Sequence, residues 1–186
     1  MYTINKVKHI EWELSTKCNA ACPQCVRNHY GGATIDSLPL ISVTLEQVKK
    51  LIPWNKMDSL EMVYFCGTYG DPIANNELLE ICKWVKSNTN AKVALHTNGG
   101  LQSPNYWSKL AKHVDWCAFA IDGLEDTNHL YRRNVKWKKV IGNAKAFINA
   151  GGEAKWDFIV FKHNQHQVDS ARQMSARLGF SEFNFK

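Results

Sequence analysis

The residues with the most chemistry in them are Cys18, Cys22 and Cys25, in the stretch Ser15-Thr16-Lys17-Cys18-Asn19-Ala20-Ala21-Cys22-Pro23-Gln24-Cys25. Their spacing is Cys-x3-Cys-x2-Cys. Three thiols this close cannot all pair with one another, and the loop around them is polar, whereas cysteines used as small hydrophobes sit among apolar neighbours. The pattern points to a metal. Zinc structural sites usually close with four protein ligands, and His29 offers a Cys3His set with Cys18, Cys22 and Cys25, the donor set of a non-catalytic zinc module. Iron–sulfur clusters normally take four cysteines, and a cubane held by three leaves one iron open to a substrate or cofactor. Spacing alone does not choose between the two.

The elements around this loop are legible from periodicity. His9 to Leu14 alternates as a strand, with Ile10, Trp12 and Leu14 on one side. Thr44 to Leu51 reads as a helix with Thr44 and Gln47 at capping-box spacing. Strands follow at Glu61 to Cys66, Lys92 to His96, Trp116 to Ile121, Trp156 to Phe161 and Glu182 to Phe185. Helices lie between them at Asn76 to Lys86, from Ser103-Pro104 to about Val114, at Val135 to Asn149 and at Gln167 to Leu178. Alternating strands and helices predict a parallel sheet with right-handed crossovers. A complete eight-stranded β/α barrel needs about 250 residues, so 186 residues suit a partial (β/α)6 TIM-type barrel ending at the sixth strand, or else an open doubly wound sheet. No linker or low-complexity tract interrupts the pattern, and residues 1–186 read as one domain. Such a fold carries its site at the C-terminal ends of the strands, where the cysteine loop lies.

Those strand ends carry further motifs. The second ends Phe65-Cys66-Gly67-Thr68-Tyr69-Gly70-Asp71-Pro72, the third Thr97-Asn98-Gly99, and the fourth Ala120-Ile121-Asp122-Gly123, followed by His129 and Arg132-Arg133. With the cysteine loop directly after the first strand, the chain resembles the radical S-adenosylmethionine (SAM) superfamily over nearly its whole length. In particular it is similar to the peptide-modifying and sulfatase-maturing branch. The turn after the second strand resembles the family's Gly-Gly-Glu-Pro turn.

The resemblance implies a [4Fe–4S] cluster on Cys18, Cys22 and Cys25, with SAM chelating the open iron. One electron into the sulfonium would release methionine and a 5′-deoxyadenosyl radical that abstracts hydrogen from the substrate, hard chemistry carried by the cofactor. Carried over by position, the backbone of Gly70, Asp71 and Pro72 would receive the SAM ammonium, and Gln24 would stand at the adenine. Asn98, Asp122 and Asn164 would add polar contacts, and Arg133, or Arg132 beside it, would face the SAM carboxylate. Three positions depart from the family's pattern. Gln24 replaces an aromatic residue, Asp71 a glutamate and Ala120 a hydroxyl residue. The partners implied are a reductant such as flavodoxin or ferredoxin, a peptide or small-molecule substrate, and a partner chain completing the barrel mouth. The cysteine-rich extension that many peptide-modifying members carry after this core is absent from these 186 residues, so no auxiliary cluster is expected. The enzymatic alternative uses SAM as a methyl donor.

The remaining candidates read as structural. Cys82 and Cys117 fall in apolar elements, and Cys66 reads as a small residue beside a tight turn. His96, His163 and His166 sit at strand ends, where a satisfied structural histidine is as good a reading as a functional one. Tyr131 to Lys139 is the densest basic stretch; it reads as a solvated helix start rather than a nucleic-acid footprint, since no nucleic-acid module accompanies it. Arg27 to Val43 is the longest irregular segment and is placed to cover the site.

Composition excludes several classes. With 45% apolar and 22% charged residues the chain is neither disordered nor fibrous. Its 23 Lys and Arg against 17 Asp and Glu give a charge of +6. The longest stretch free of charged residues, Val93 to Ser108, is too short and polar to cross a bilayer, and the first residues show no apolar signal core. A cytoplasmic protein with no membrane partner is expected.

Overall fold

The computed structural model describes residues 3–186. Its strands are β1 (His9–Glu13), β2 (Met62–Cys66), β3 (Lys92–Thr97), β4 (Trp116–Ala120), β5 (Glu153–Phe158) and β6 (Glu182–Phe185). Its helices are α1 (Leu45–Leu51), α2 (Leu78–Asn88), α3 (Pro104–Leu110), α4 (Asn128–Tyr131), α5 (Trp137–Asn149) and α6 (Val168–Leu178). The strands form one sheet in the order β1-β2-β3-β4-β5-β6, and every neighbouring pair is parallel. This is the partial barrel of six strands, with β1 and β6 at its edges. Among the described residues no helix is long and apolar enough to cross a membrane.

Local chemistry explains the helix ends. Gln47 N–H donates to Thr44 Oγ1 at 3.2 Å while Thr44 N–H donates to Gln47 Oε1 at 2.8 Å, so both halves of the α1 capping box form. Ser103 Oγ caps α3 and Pro104 occupies its first turn. α3 stops at Leu110, short of Val114, because Lys112 and His113 bond back three residues rather than four. Gly151 follows α5 at φ 90°, a left-handed turn that glycine adopts without strain.

The register puts two different surfaces on the sheet. Phe65, Leu95 and Cys117 lie in one row of partners, and Phe119, Trp156 and Phe183 in the next. This face meets the helices: Phe119 packs against Trp107 of α3 in a tilted arrangement and edge-to-face against Phe147 of α5, all fully buried. Each such side chain contributes roughly 1.5–3 kcal/mol by leaving water. Because side chains alternate along a strand, the opposite face carries Glu11, Glu13, Tyr64, Cys66, His96, Lys155 and Asp157. The core therefore lies between sheet and helices, and the face turned away from them mixes these polar groups with Trp116 and the buried Ala94, Ala118 and Ala120.

β5 is displaced from its expected span by three residues. The apolar run Ile159-Val160-Phe161 reads as strand, but Ile159 N–H donates to the Asp122 side chain at 2.6 Å and Phe161 N–H to Asn164 Oδ1 at 2.6 Å. Those side chains draw the chain out of the β4 ladder after Asp157. The short helix α4 is a second element that periodicity does not reveal.

Candidate functional site

Cys18, Cys22 and Cys25 line one cavity of about 250 Å³ at the C-terminal ends of the strands, together with Gly70, Asn98 and Arg132. All six cysteines of the chain are free thiols. The loop that holds the triad is built from short turns: Cys25 N–H donates to the Cys22 carbonyl at 3.0 Å, and Asn28 Nδ2 donates to the same carbonyl at 3.2 Å. Cys18 Sγ accepts from Ala20 N–H at 3.3 Å and from Asn98 Nδ2 at 3.5 Å. Cys22 Sγ faces Arg132 Nη1 at 3.7 Å, and Cys25 Sγ faces the Thr68 carbonyl at 3.9 Å. Burial, with the Asp71 charge second, pushes the Cys18 thiol up to about 12. Burial also pushes Cys22 up, and the Arg132 guanidinium pulls it partway back.

The zinc set is not assembled. His29 lines an outer pocket with Gln24 and Cys25, away from the cavity that Cys18 and Cys22 share. Among the described residues no group of three or more His, Cys, Asp and Glu side chains gathers as one metal ion requires. The thiols ring a space larger than an ion.

The turn after β2 is pressed against the cysteine loop. Asp71 N–H donates to the Lys17 carbonyl at 2.9 Å, and a Cβ on Gly70 would lie 2.6 Å from the Ser15 carbonyl carbon and 2.8 Å from Thr16 Cα. Only glycine permits that approach. The buried Asp71 carboxylate is spent on its own chain, accepting from Thr97 Oγ1 at 2.7 Å, Asn98 N–H at 2.8 Å and Ile73 N–H at 3.1 Å. Burial pushes this carboxyl up, against the pull of those donors. The Asp71 and Pro72 carbonyls accept from Ala74 and Asn75 N–H. The Gly70 carbonyl takes no hydrogen bond among the described residues, so of the three backbone carbonyls this one is free, and Gly70 lines the cavity.

At the end of β4 the fully buried Asp122 receives Arg132 Nε at 2.6 Å and Ile159 N–H at 2.6 Å. Burial works against the Arg132 charge, yet Asp122 and Cys22 hold its pKa above the ordinary value. Arg132, rather than Arg133, lines the cavity. Arg133 is exposed and binds the Tyr30 and Gly31 carbonyls at 3.3 Å, because successive residues at the end of α4 project to different sides. Asn164 is buried below the site, with both side-chain amide protons donated to the Asp122 and Ile159 carbonyls at 2.9 Å and its Oδ1 accepting from Phe161 N–H, so it has no donor left for a ligand. Gln24 is exposed in the outer pocket, and Pro72 is buried behind the β2 turn outside the cavity.

Two participants were not singled out by spacing. Arg27 is buried, lines the cavity, and donates to the Tyr69 carbonyl at 3.0 Å and the Thr16 carbonyl at 3.3 Å, clamping turn to loop. Its only sequence signal is its position two residues after Cys25. Asp157 of β5 meets His96 Nε2 at 3.2 Å, and this bond holds its carboxyl below the usual carboxylate range. His96 lines the cavity as well as the adjoining one toward β6. Cys66 lies outside the cavity, where its thiol donates to Glu11 at 3.1 Å; burial and that carboxylate push it up to about 12. Cys82 and Cys117 are in the core. His163 stacks on Phe161, and His166 is exposed. Of the segment Arg27 to Val43, only Arg27 lines the cavity; the rest runs beside the cysteine loop, with Ser42 bridged to Ser15.

The family model of the radical SAM superfamily matches residues 12–170. An AdoMet-dependent heme synthase of Nitratidesulfovibrio vulgaris is 23% identical over 175 residues, covering 92% of this chain and 46% of that protein. Among solved structures, Streptococcus suis SuiB bound to its precursor peptide SuiA superposes with a TM-score of 0.77 at 15% identity, over 97% of this chain and 39% of that one. The enzyme anSMEcpe, with AdoMet and the Cp18Cys peptide bound, gives 0.68 at 20% identity, over 96% and 50%. These structural likenesses show the shared fold, and the chain spans half or less of each relative's length. From the match across most of its residues and the partial barrel beneath it, the chain belongs to the radical SAM superfamily, whose enzymes use a [4Fe–4S] cluster and SAM.

Proposed function

We propose that Cys18, Cys22 and Cys25 are the three protein ligands of the cluster and that SAM lies beside it in the same cavity. The observation that carries this reading is the shared lining: three residues with free thiols, Gly70 with its unbonded carbonyl, and Arg132 line one space. The donor set fits, since soft thiolates suit iron–sulfur clusters and three of them leave a coordination position for SAM. When bound, the cluster and SAM would supply one-electron cleavage of the sulfonium and, through it, hydrogen-atom abstraction from the substrate.

The chain's own residues prepare that space. Cys18 and Cys22 give up their protons on loading. The Gly70 carbonyl accepts from the SAM ammonium, and Arg132 takes the carboxylate role expected of Arg133. Asp71 and Asn98, which line the same cavity, hold the β3 end and the Cys18 sulfur, while Asp122 and Asn164 brace Arg132 and the start of the loop after β5. Residues 1–186 act as one radical SAM core. A peptide substrate is the reading favoured by the neighbours solved with peptides bound, and a flavodoxin or ferredoxin supplies the electron.

Anaerobic reconstitution with iron and sulfide tests this. A brown protein that converts SAM to 5′-deoxyadenosine and methionine under dithionite supports it, with Cys22→Ala abolishing cluster uptake. A colourless protein holding one zinc per chain sinks it.

A further inference from the structure

Arg132 has a position that SAM binding alone does not require. Its side chain is only 15% exposed and its Nε is held at 2.6 Å by Asp122, whose own side chain is 0% exposed. The backbone N–H of Arg132 donates to the Asn128 carbonyl at 2.8 Å, and the guanidinium stands 5.3 Å from the Tyr131 ring centroid. So restrained, its Nη1 points at Cys22 Sγ from 3.7 Å. A cation is thus fixed beside one of the three thiols, with its counter-charge on the far side.

Resting on the cluster ligation proposed above, we infer that Arg132 sets the reduction potential of the cluster through Cys22, with Asp122 as its counterweight. Reduction adds one negative charge, and part of it resides on the coordinating sulfurs. A guanidinium in a poorly hydrated wall attracts that added charge more strongly than water would, so it favours the reduced state. Asp122 opposes it, but from farther away, since Arg132 lies between the carboxylate and the sulfur. The other nearby charges, Arg27 and Asp71, are tied into the turn and loop by their own hydrogen bonds and do not change when Arg132 does. The pair therefore acts as an oriented dipole, and its two members should move the potential in opposite directions.

The experiment is an EPR-monitored redox titration, without SAM, of reconstituted wild type, Arg132→Gln, Arg132→Lys and Asp122→Asn, each first assayed for iron and sulfide. In Arg132→Gln the ratio of reduced to oxidised cluster at a fixed potential should fall about tenfold or more, which for a one-electron couple is a shift of about 59 mV to more negative values. Arg132→Lys should restore part of the loss, and Asp122→Asn should shift the potential to less negative values. A loaded Arg132→Gln protein at the wild-type potential overturns the inference, as does a shift of the same sign in Arg132→Gln and Asp122→Asn. Should Arg132→Gln fail to load, the lysine and asparagine variants decide by the same signs. A wild-type protein that takes up no cluster refutes the ligation itself, a failure separate from any change in potential.

Discussion

Replacing Gly70 by alanine tests how the β2 turn and the cysteine loop depend on each other. The new methyl would overlap the Ser15 carbonyl oxygen and lie 2.6 Å from its carbon and 2.8 Å from Thr16 Cα. Those neighbours are backbone, so no side chain can swing aside, and the turn itself must retreat. Overpacking of this kind costs about 1–3 kcal/mol. The retreat also stretches the bond from Asp71 N–H to the Lys17 carbonyl and the Arg27 clamp on Tyr69, at about 1 kcal/mol each. The total is about 3–5 kcal/mol, a large share of the roughly 5–15 kcal/mol that holds a domain folded. Urea unfolding of the metal-free protein should show that loss, and equilibrium dialysis of the reconstituted protein should show weaker SAM binding. Gly142→Ala is the control. On α5 a methyl at Gly142 meets nothing within 4 Å, so alanine should stabilise by about 0.5–1 kcal/mol through helix propensity. If Gly70→Ala leaves stability and SAM affinity unchanged, the close approach has no energetic weight and the reasoning fails.

Three further outcomes follow from the same geometry. The raised pKa values of Cys18, about 12, and of Cys22 keep both thiols protonated at pH 7 to 8, so loading must release those protons. Cluster affinity in competition with a chelator should therefore weaken by about a hundredfold for each pH unit of acidification from these two thiols alone, and by more where the third ligand also releases a proton; a flat profile contradicts this. Asp71→Asn leaves three donors sharing one carbonyl oxygen; it should cost about 2–3 kcal/mol in thermal unfolding and lower SAM affinity. Cys82→Ala should keep full iron content while lowering stability by about 1 kcal/mol, since Cys82 is fully buried in the core.

Much of this was legible in the residues because it is local. Three cysteines on one short loop declare themselves by spacing, Thr44 and Gln47 by a capping interval, and Gly70 by its place after an apolar strand. What stayed hidden depends on direction. Arg132 and Arg133 are adjacent and alike, and only the exit angle of α4, itself invisible to periodicity, sends one toward Cys22 and the other toward Tyr30. Asn164 and Asp71 look like exposed polar residues in a loop, yet both are consumed by backbone groups that would otherwise be buried unpaired. The phase of β5 misleads because Ile159, Val160 and Phe161 have strand chemistry, while the Asp122 carboxylate takes the Ile159 N–H.

The two surfaces of the sheet have a consequence for how this chain tolerates change. In most small proteins the densest packing and the inside of the fold coincide, so altering the interior risks collapse. Here the tightly packed layer is Phe65, Leu95, Phe119 and Trp156 against the helices, while His96, Lys155 and Asp157 occupy the other side, each partly open to solvent. Substitutions of these three residues trade polar contacts rather than core volume, and each draws on a smaller fraction of the folding free energy. Chemistry toward a new substrate can thus be varied along the inner strand positions without first securing the fold against them.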